Sequence, residues 1–257
     1  MSAHLRRHLA PISERAWEAI EDEARQHLRS YLAGRRLVDF RGPHGWAASA
    51  TDLGRTERLE PVGSVERRER RVLPMVELRV RFALRRDELD DIDRGALDLD
   101  LGDLDRAARE IGLAETTIIL EEIGNRTSHQ PLELGADFGR YPGVVASAVN
   151  RLRLVGVEGP YALALSPDAY TGVVETTEDG GLVVLDHLSK VLGGPVVWAP
   201  GCTGALVVSL RGGDFLLDVG EDLSIGYLDH DADTVRLYLE ETLTFRVASD
   251  DAAVPLR

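Results

Sequence analysis

The chain has 257 residues, enough for one large domain or two small ones around a sizeable core, and its 44% hydrophobic and 29% charged content excludes wholesale disorder and collagen-like repetition. A single cysteine, Cys202, excludes an internal disulfide and points to a reducing compartment. The formal net charge of −14 repels phosphate backbones and anionic membranes, which argues against a general nucleic-acid binder.

The basic start at Arg6 and Arg7 runs into Ala10-Pro11-Ile12-Ser13-Glu14 without the apolar core of a secretory signal. No stretch approaches the roughly 18 apolar residues of a membrane span, so the expectation is a cytoplasmic protein. Ser13 then caps a helix in which Trp17, Ile20, Ala24, Leu28 and Tyr31 recur at three- and four-residue steps until Gly34 stops it. Its wet face carries Glu18, Glu21, Arg25 and Arg29. Residues 36–40, with Leu37 and Val38, read as a short strand.

From 41 to 71 the chain is punctuated by Gly and Pro and then heavily charged, ending in Glu66-Arg67-Arg68-Glu69-Arg70-Arg71. Such a segment cannot bury itself, so it is either a disordered loop or an arm that projects onto a neighbour. Val76, Leu78, Val80, Phe82 and Leu84 alternate with Glu77, Arg79, Arg81 and Arg85, the pattern of a half-buried strand. Residues 56–59 are placed to pair near its start, giving a two-stranded arm.

A long helix over 103–125 presents Leu104, Ala107, Ala108, Ile111, Ile118 and Ile119 on one face. Another over 140–155 turns Val145, Ala148, Leu152 and Val155 inward and ends at Gly156. The rhythm then shortens into an α/β lobe. It comprises a strand at 161–165, a brief helix at 167–174, a polar tip at 176–181, a helix carrying Leu185, Leu188 and Leu192, and strands at 196–199 and 205–210. The tail returns to period two with Phe215, Leu217 and Val219, then Leu223, Ile225 and Tyr227, then Val235, Leu237 and Leu239.

Catalytic signatures are missing: there is no G-x-S-x-G elbow, phosphate loop, G-x-G-x-x-G or H-E-x-x-H, and one cysteine cannot build a thiolate zinc cluster. Asp186, His187 and Ser189 offer the members of a hydrolase triad, but adjacent helix positions point about 100° apart, so they read as a solvated face. Asp229, Asp231, Asp233 and Glu240 occupy calcium-loop places, yet Thr234 stands where that loop needs glycine, so an acidic turn is expected. Cys202, in Pro200-Gly201-Cys202-Thr203-Gly204, reads as a bystander thiol. The tip Thr176-Thr177-Glu178-Asp179-Gly180-Gly181 is an ordinary exposed loop by itself; copies meeting at a symmetry axis would make a cation-favouring opening.

Nine strings are more specific than any periodicity. They are Leu9-Ala10-Pro11 with Trp17, Ala33-Gly34-Arg35-Arg36-Leu37-Val38-Asp39, Gly42-Pro43-His44-Gly45-Trp46, Glu88-Leu89-Asp90, Arg94-Gly95, Gly159-Pro160-Tyr161, Arg211-Gly212-Gly213-Asp214-Phe215, Asp222-Leu223-Ser224-Ile225-Gly226-Tyr227 and Glu241-Thr242-Leu243-Thr244-Phe245. In this order and spacing, over nearly the whole chain, the sequence resembles the type 1 encapsulins, shell proteins once described as linocin-type bacteriocins. The resemblance implies an α+β protein with the fold of tailed-phage major capsid proteins. It divides the chain into an amino-terminal helix and first peripheral strand (1–40), an extended arm (41–75), a peripheral domain with a long helix (76–129), an axial domain (130–214) and peripheral return strands (215–257).

The same resemblance implies a non-enzymatic subunit of a closed icosahedral nanocompartment, with one subunit per asymmetric unit and so about 60 copies. Its partners would be other copies of itself and a cargo enzyme, such as a ferritin-like protein or a dye-decolorizing peroxidase, held by a carboxy-terminal targeting peptide. Neither nucleic acid, membrane, metal nor cofactor is implied. The peptide-binding positions would be Leu28, Arg35, Leu37, Asp39, Leu223, Ile225 and Tyr227, and the pore loop Thr176, Thr177, Glu178, Asp179, Gly180 and Gly181. Rival readings are a major capsid protein of a cryptic phage and a peptidase. Lys190, the only lysine, falls in the lobe helix and not in the arm, so a shell would be held without lysine crosslinks.

Overall fold

In the computed structural model, which describes residues 3–178 and 180–257, two 3-10 turns, Ala3–Leu5 and Arg7–Leu9, lead into helix α1, Glu14–Tyr31. Ser13 Oγ accepts a hydrogen bond from the Ala16 amide at 3.1 Å, satisfying one donor that a helix start leaves free. Ala16, Ile20, Ala24 and Leu28 are buried at a strict four-residue spacing, with Trp17 and Tyr31 partly covered beside them. The helix ends at Tyr31, before Gly34. That glycine lies in a 3-10 turn, Gly34–Arg36, where a Cβ would come 2.7 Å from Ile119 Cδ1, so it permits close packing and is not a stop signal.

Strand β1, Asp39–Arg41, begins three residues later than expected, because Leu37 turns into the core at 1% exposure and does not join the sheet. β2, Ala50–Val62, and β3, Val65–Pro74, then form an antiparallel hairpin that turns at Gly63, whose φ of +61° suits glycine. The charged segment is therefore an arm, but residues 56–59 pair inside it, Thr56 with Arg70 and Leu59 with Arg67. The following strand, β4, Val76–Arg85, is not available to them. Its buried side chains Phe82 and Leu84 commit it to the main sheet, whereas both faces of the hairpin are wet.

Two helices follow. α2, Arg86–Arg94, has only Leu89 and Ile92 as buried apolar anchors among its charges and escaped the sequence reading. α3, Gly102–Arg126, buries Leu104, Ala107, Ala108, Ile111 and Ile119 and also Glu115 and Thr116, with Ile118 only half-buried. The lobe begins with α4, Tyr141–Leu154, whose inward face ends at Leu152; Val155, expected inside, is 49% exposed because the helix has ended. β5, Tyr161–Leu165, α5, Pro167–Glu175, α6, Val184–Leu192, β6, Val196–Trp198, and β7, Ala205–Ser209, complete it. The tail supplies β8, Phe215–Val219, β9, Ser224–His230, β10, Thr234–Val247, and β11, Ala253–Leu256.

The main sheet runs β1-β8-β10-β4, with β9 also paired to β10, and the lobe sheet runs β11-β7-β5-β6. β11 departs from the expected return of residues 215–257 to the peripheral sheet: it pairs antiparallel with β7, Ala253 opposite Val208. Residues 252–256 form an unbroken apolar run, which suits a strand covered on both faces and not one with a wet side. One core fills the lobe around Leu152, Leu163, Leu188 and Val207. The other lies between α1, α3 and the main sheet around Ile20, Ile111, Phe82 and Leu237, and Leu78 packs against both.

Candidate functional site

Between α1 and β9 lies a groove of about 400 Å³. Helical spacing brings Ala24, Leu28 and Leu32 to one wall, while Leu223, just before β9, with Ile225 and Leu239 from the main sheet forms the other. Leu5 and Arg7 close one end from the amino-terminal turns. The rim carries Arg25 and Arg29, exposed on α1, together with Glu21 and Asp222, and Arg25 pairs with Asp22. Arg7 is tied down by Glu21 at 2.6 Å and stacks over Trp17 at 4.1 Å from the ring centre.

Arg35 sits at the base and spends its whole fork on carboxylates. Its Nε donates to Glu115 Oε2 at 2.8 Å, Nη1 to Asp222 Oδ1 at 2.9 Å and Nη2 to Glu241 Oε2 at 3.0 Å. Glu115 and Glu241 have no exposed surface. Burial alone would lower the Arg35 guanidinium, but Glu115, Asp222 and Glu241 together raise it above its usual range. Burial, then the charge of Glu115, pushes the Glu241 carboxyl well above its usual range, against the pull of Arg35. One cation cannot neutralise three carboxylates, so the raised carboxyl is the physical way this buried group balances its charge.

Of the expected peptide-binding residues, Leu28, Arg35, Leu223 and Ile225 meet in this groove. Leu37, Asp39 and Tyr227 do not. Leu37 belongs to the core on the lobe side. Asp39 accepts from the Gly213 amide at 2.5 Å and borders a separate cleft with Leu210 and Phe215. Tyr227 is 9% exposed and its hydroxyl is held 2.6 Å from His230 Nδ1. Sequence reasoning missed Leu32, one turn beyond Leu28, and Glu115, whose signal was a charged residue on the apolar face of α3.

The tip between α5 and α6 is closed by a bridge between Thr177 and Val183 and by the Glu178 amide donating to the Leu182 carbonyl at 2.8 Å. Thr176 is half-buried, while Thr177, Gly180 and Gly181 are exposed. Asp179 lies outside the described residues. Glu178 does not stand free: its Oε1 is 2.9 Å from His187 Nδ1.

That contact also disposes of the triad, since His187 faces Glu178 while Ser189 Oγ donates to the Leu185 carbonyl at 3.0 Å. Asp229 on β9 and Asp231 in the turn are both claimed by Arg236 on β10, so this hairpin is no calcium loop. Burial pushes the Cys202 thiol up to about 11, so it is not a thiolate at neutral pH. No helix among the described residues is long and apolar enough to cross a membrane.

A spine helix, a projecting hairpin arm and an α/β lobe beside a mainly antiparallel sheet define the fold of tailed-phage major capsid proteins. The chain is similar in structure to a virus-like particle from Pyrococcus furiosus, with a TM-score of 0.66 at 16% identity over 92% of this chain and 98% of that one. A phage-related protein from Bordetella bronchiseptica gives 0.58 at 15% identity, over 93% and 96% of the two chains. Within that class, the family described as encapsulating protein for peroxidase matches residues 1–244. The type 1 encapsulin shell protein of Rhodospirillum rubrum is 49% identical over 268 residues, covering 98% of this chain and 96% of the relative. That of Mycolicibacterium paratuberculosis is 45% identical, covering 98% of each. The chain belongs to the type 1 encapsulin shell protein family.

Proposed function

We propose that the protein is the shell subunit of a cytoplasmic nanocompartment, assembling through its arm into a closed icosahedral shell. In this reading the shell encloses a cargo enzyme whose carboxy-terminal peptide docks in the groove between α1 and β9. The observation that carries the reading is the groove itself. Aliphatic slots at Leu28, Leu32, Leu223 and Ile225 accept alternate side chains of an extended peptide, and the arginines of the rim complement its acidic end. Arg35 acts here as the fixed base of the groove, already committed to three carboxylates.

Electron microscopy of the purified protein, with its contents identified by mass spectrometry, tests the assembly: uniform closed shells holding protein are expected, and shells holding nucleic acid would move the reading to a phage capsid. Fluorescence anisotropy with a labelled Gly-, Leu- and Ile-rich peptide tests the groove. Leu223→Asp places a charge among the aliphatic slots and should weaken binding at least tenfold, about 1.4 kcal/mol, without disturbing assembly. Unchanged affinity would remove the groove from the reading. The α5–α6 tip, with Glu178, is assigned to the opening at a symmetry axis. Replacing Glu178 and Asp179 with their amides should slow cation entry into loaded shells.

A further inference from the structure

On another side of α1, where the helix meets the first turn of α3, three side chains form a cluster outside the groove. Glu23 and His27 lie four residues apart and so project side by side from α1. Asp105 reaches them from α3. His27 Nε2 is 3.1 Å from Glu23 Oε1 and 3.2 Å from Asp105 Oδ1, and one ligand atom from each of the three lies within 4.8 Å of the others.

The His27–Glu23 contact is a hydrogen bond as it stands, and both separations from His27 also suit atoms that share an ion. A divalent metal with bonds of about 2.0–2.2 Å to nitrogen and oxygen holds adjacent ligands roughly 2.9–3.5 Å apart, between octahedral and tetrahedral angles. The hydrogen-bonding pattern points the same way. Asp105 Oδ1 is buried without a hydrogen-bond partner, although the imidazole stands beside it. Among the described residues neither Glu23 nor Asp105 forms an ion pair with an arginine or lysine; Arg109 donates to the backbone carbonyl of Asp105 at 3.3 Å and not to its carboxylate. Two carboxylates therefore face one imidazole, with the charge of Arg109 acting on Asp105 from nearby. The side chains are 25–35% exposed, so water can enter to complete a coordination shell.

We propose that Glu23, His27 and Asp105 bind a divalent transition-metal ion that clips α1 to α3. One imidazole nitrogen with two carboxylate oxygens selects zinc or cobalt over magnesium and calcium, which take more oxygen ligands. The clip holds the helix that forms one wall of the groove.

The test is a cobalt titration of the untagged, chelator-stripped full chain, followed by visible absorption and by metal content after gel filtration. One cobalt per chain is expected, displaced by zinc but not by a large excess of magnesium. His27→Gln should lose this stoichiometry, and His129→Gln, whose ring instead contacts the Asp251 carbonyl, should keep it. Circular dichroism reports whether each variant is folded; should His27→Gln fail to fold, the same loss is required of Asp105→Asn. Absence of saturable cobalt uptake, or uptake equal in wild type and His27→Gln, means an ion triad only and overturns the proposal.

Discussion

Arg35 shows how one side chain can hold three distant parts of a chain together. Its partners Glu115, Asp222 and Glu241 come from α3, the loop before β9 and β10. Removing the guanidinium leaves the fully buried Glu115 carboxylate without its cation beside Glu241, so Arg35→Leu should destabilise the subunit by about 3–5 kcal/mol, read as a lower urea midpoint by tryptophan fluorescence. Replacing a buried ion pair with apolar groups is a different experiment and often costs little. Glu241 adds a pH dependence of defined sign. Its carboxyl is raised by burial and by Glu115, so the folded chain keeps a proton that the unfolded chain, with an ordinary value of 4.5, releases earlier. That contribution is complete below 4.5 and is lost as pH rises through the folded value. Urea midpoints measured from pH 5 upward should fall less steeply in Glu241→Gln than in the wild type.

Among the elements, α1 and α3 depend on a close approach. A Cβ on Gly112 would stand 2.9 Å from the Tyr31 Cβ, so the two helices touch where only glycine fits. Gly112→Leu gains helix propensity but must push α1 away, at a cost of about 1–3 kcal/mol, and should lower thermal stability and peptide affinity together. The arm is the opposite case. Its strands are exposed along almost their whole length, and at its base the Met75 amide donates to the Ser49 carbonyl at 2.9 Å. The chain therefore re-enters the body where it left. Replacing residues 50–74 with a short turn should leave the body folded by circular dichroism while abolishing large particles in gel filtration. Loss of folding would show that the arm supports the monomer and not its contacts with other copies.

At the scale of the molecule, two cores share one chain that crosses between them repeatedly. β11 is the last crossing and seals the lobe sheet at the free side of β7. Ending the chain at Val247 would remove Ala252, Ala253, Val254 and Leu256, all at 0–1% exposure, and would leave β7 as an open apolar edge. Each buried Val or Leu contributes about 1.5–3 kcal/mol, a large share of a typical subunit's margin. The truncated chain should appear in the insoluble fraction, or be cleaved within the lobe by limited proteolysis.

What the sequence determined by itself is what local periodicity encodes. The cap at Ser13, the Ile20, Ala24 and Leu28 stripe of α1, the alternation of β4 from Leu78 onward and the long apolar face of α3 each need only neighbours within a few residues, and each is present in the structure. The order of helix, arm, spine and lobe, with motif strings in register, was enough to mark the family. Tertiary structure decided the rest. The arm's strands pair with each other because no buried face commits either to the sheet, β11 crosses to the lobe because a strand without a wet side needs cover on both faces, and α2 offers only Leu89 and Ile92 as apolar anchors in its short, charged span. Leu37, Asp39 and Tyr227 look eligible for the groove in sequence, yet packing gives each another partner. Arg35 meets its carboxylates across 80, 187 and 206 residues. Periodicity reports which face of an element is buried; which distant face covers it is fixed only when the whole chain closes.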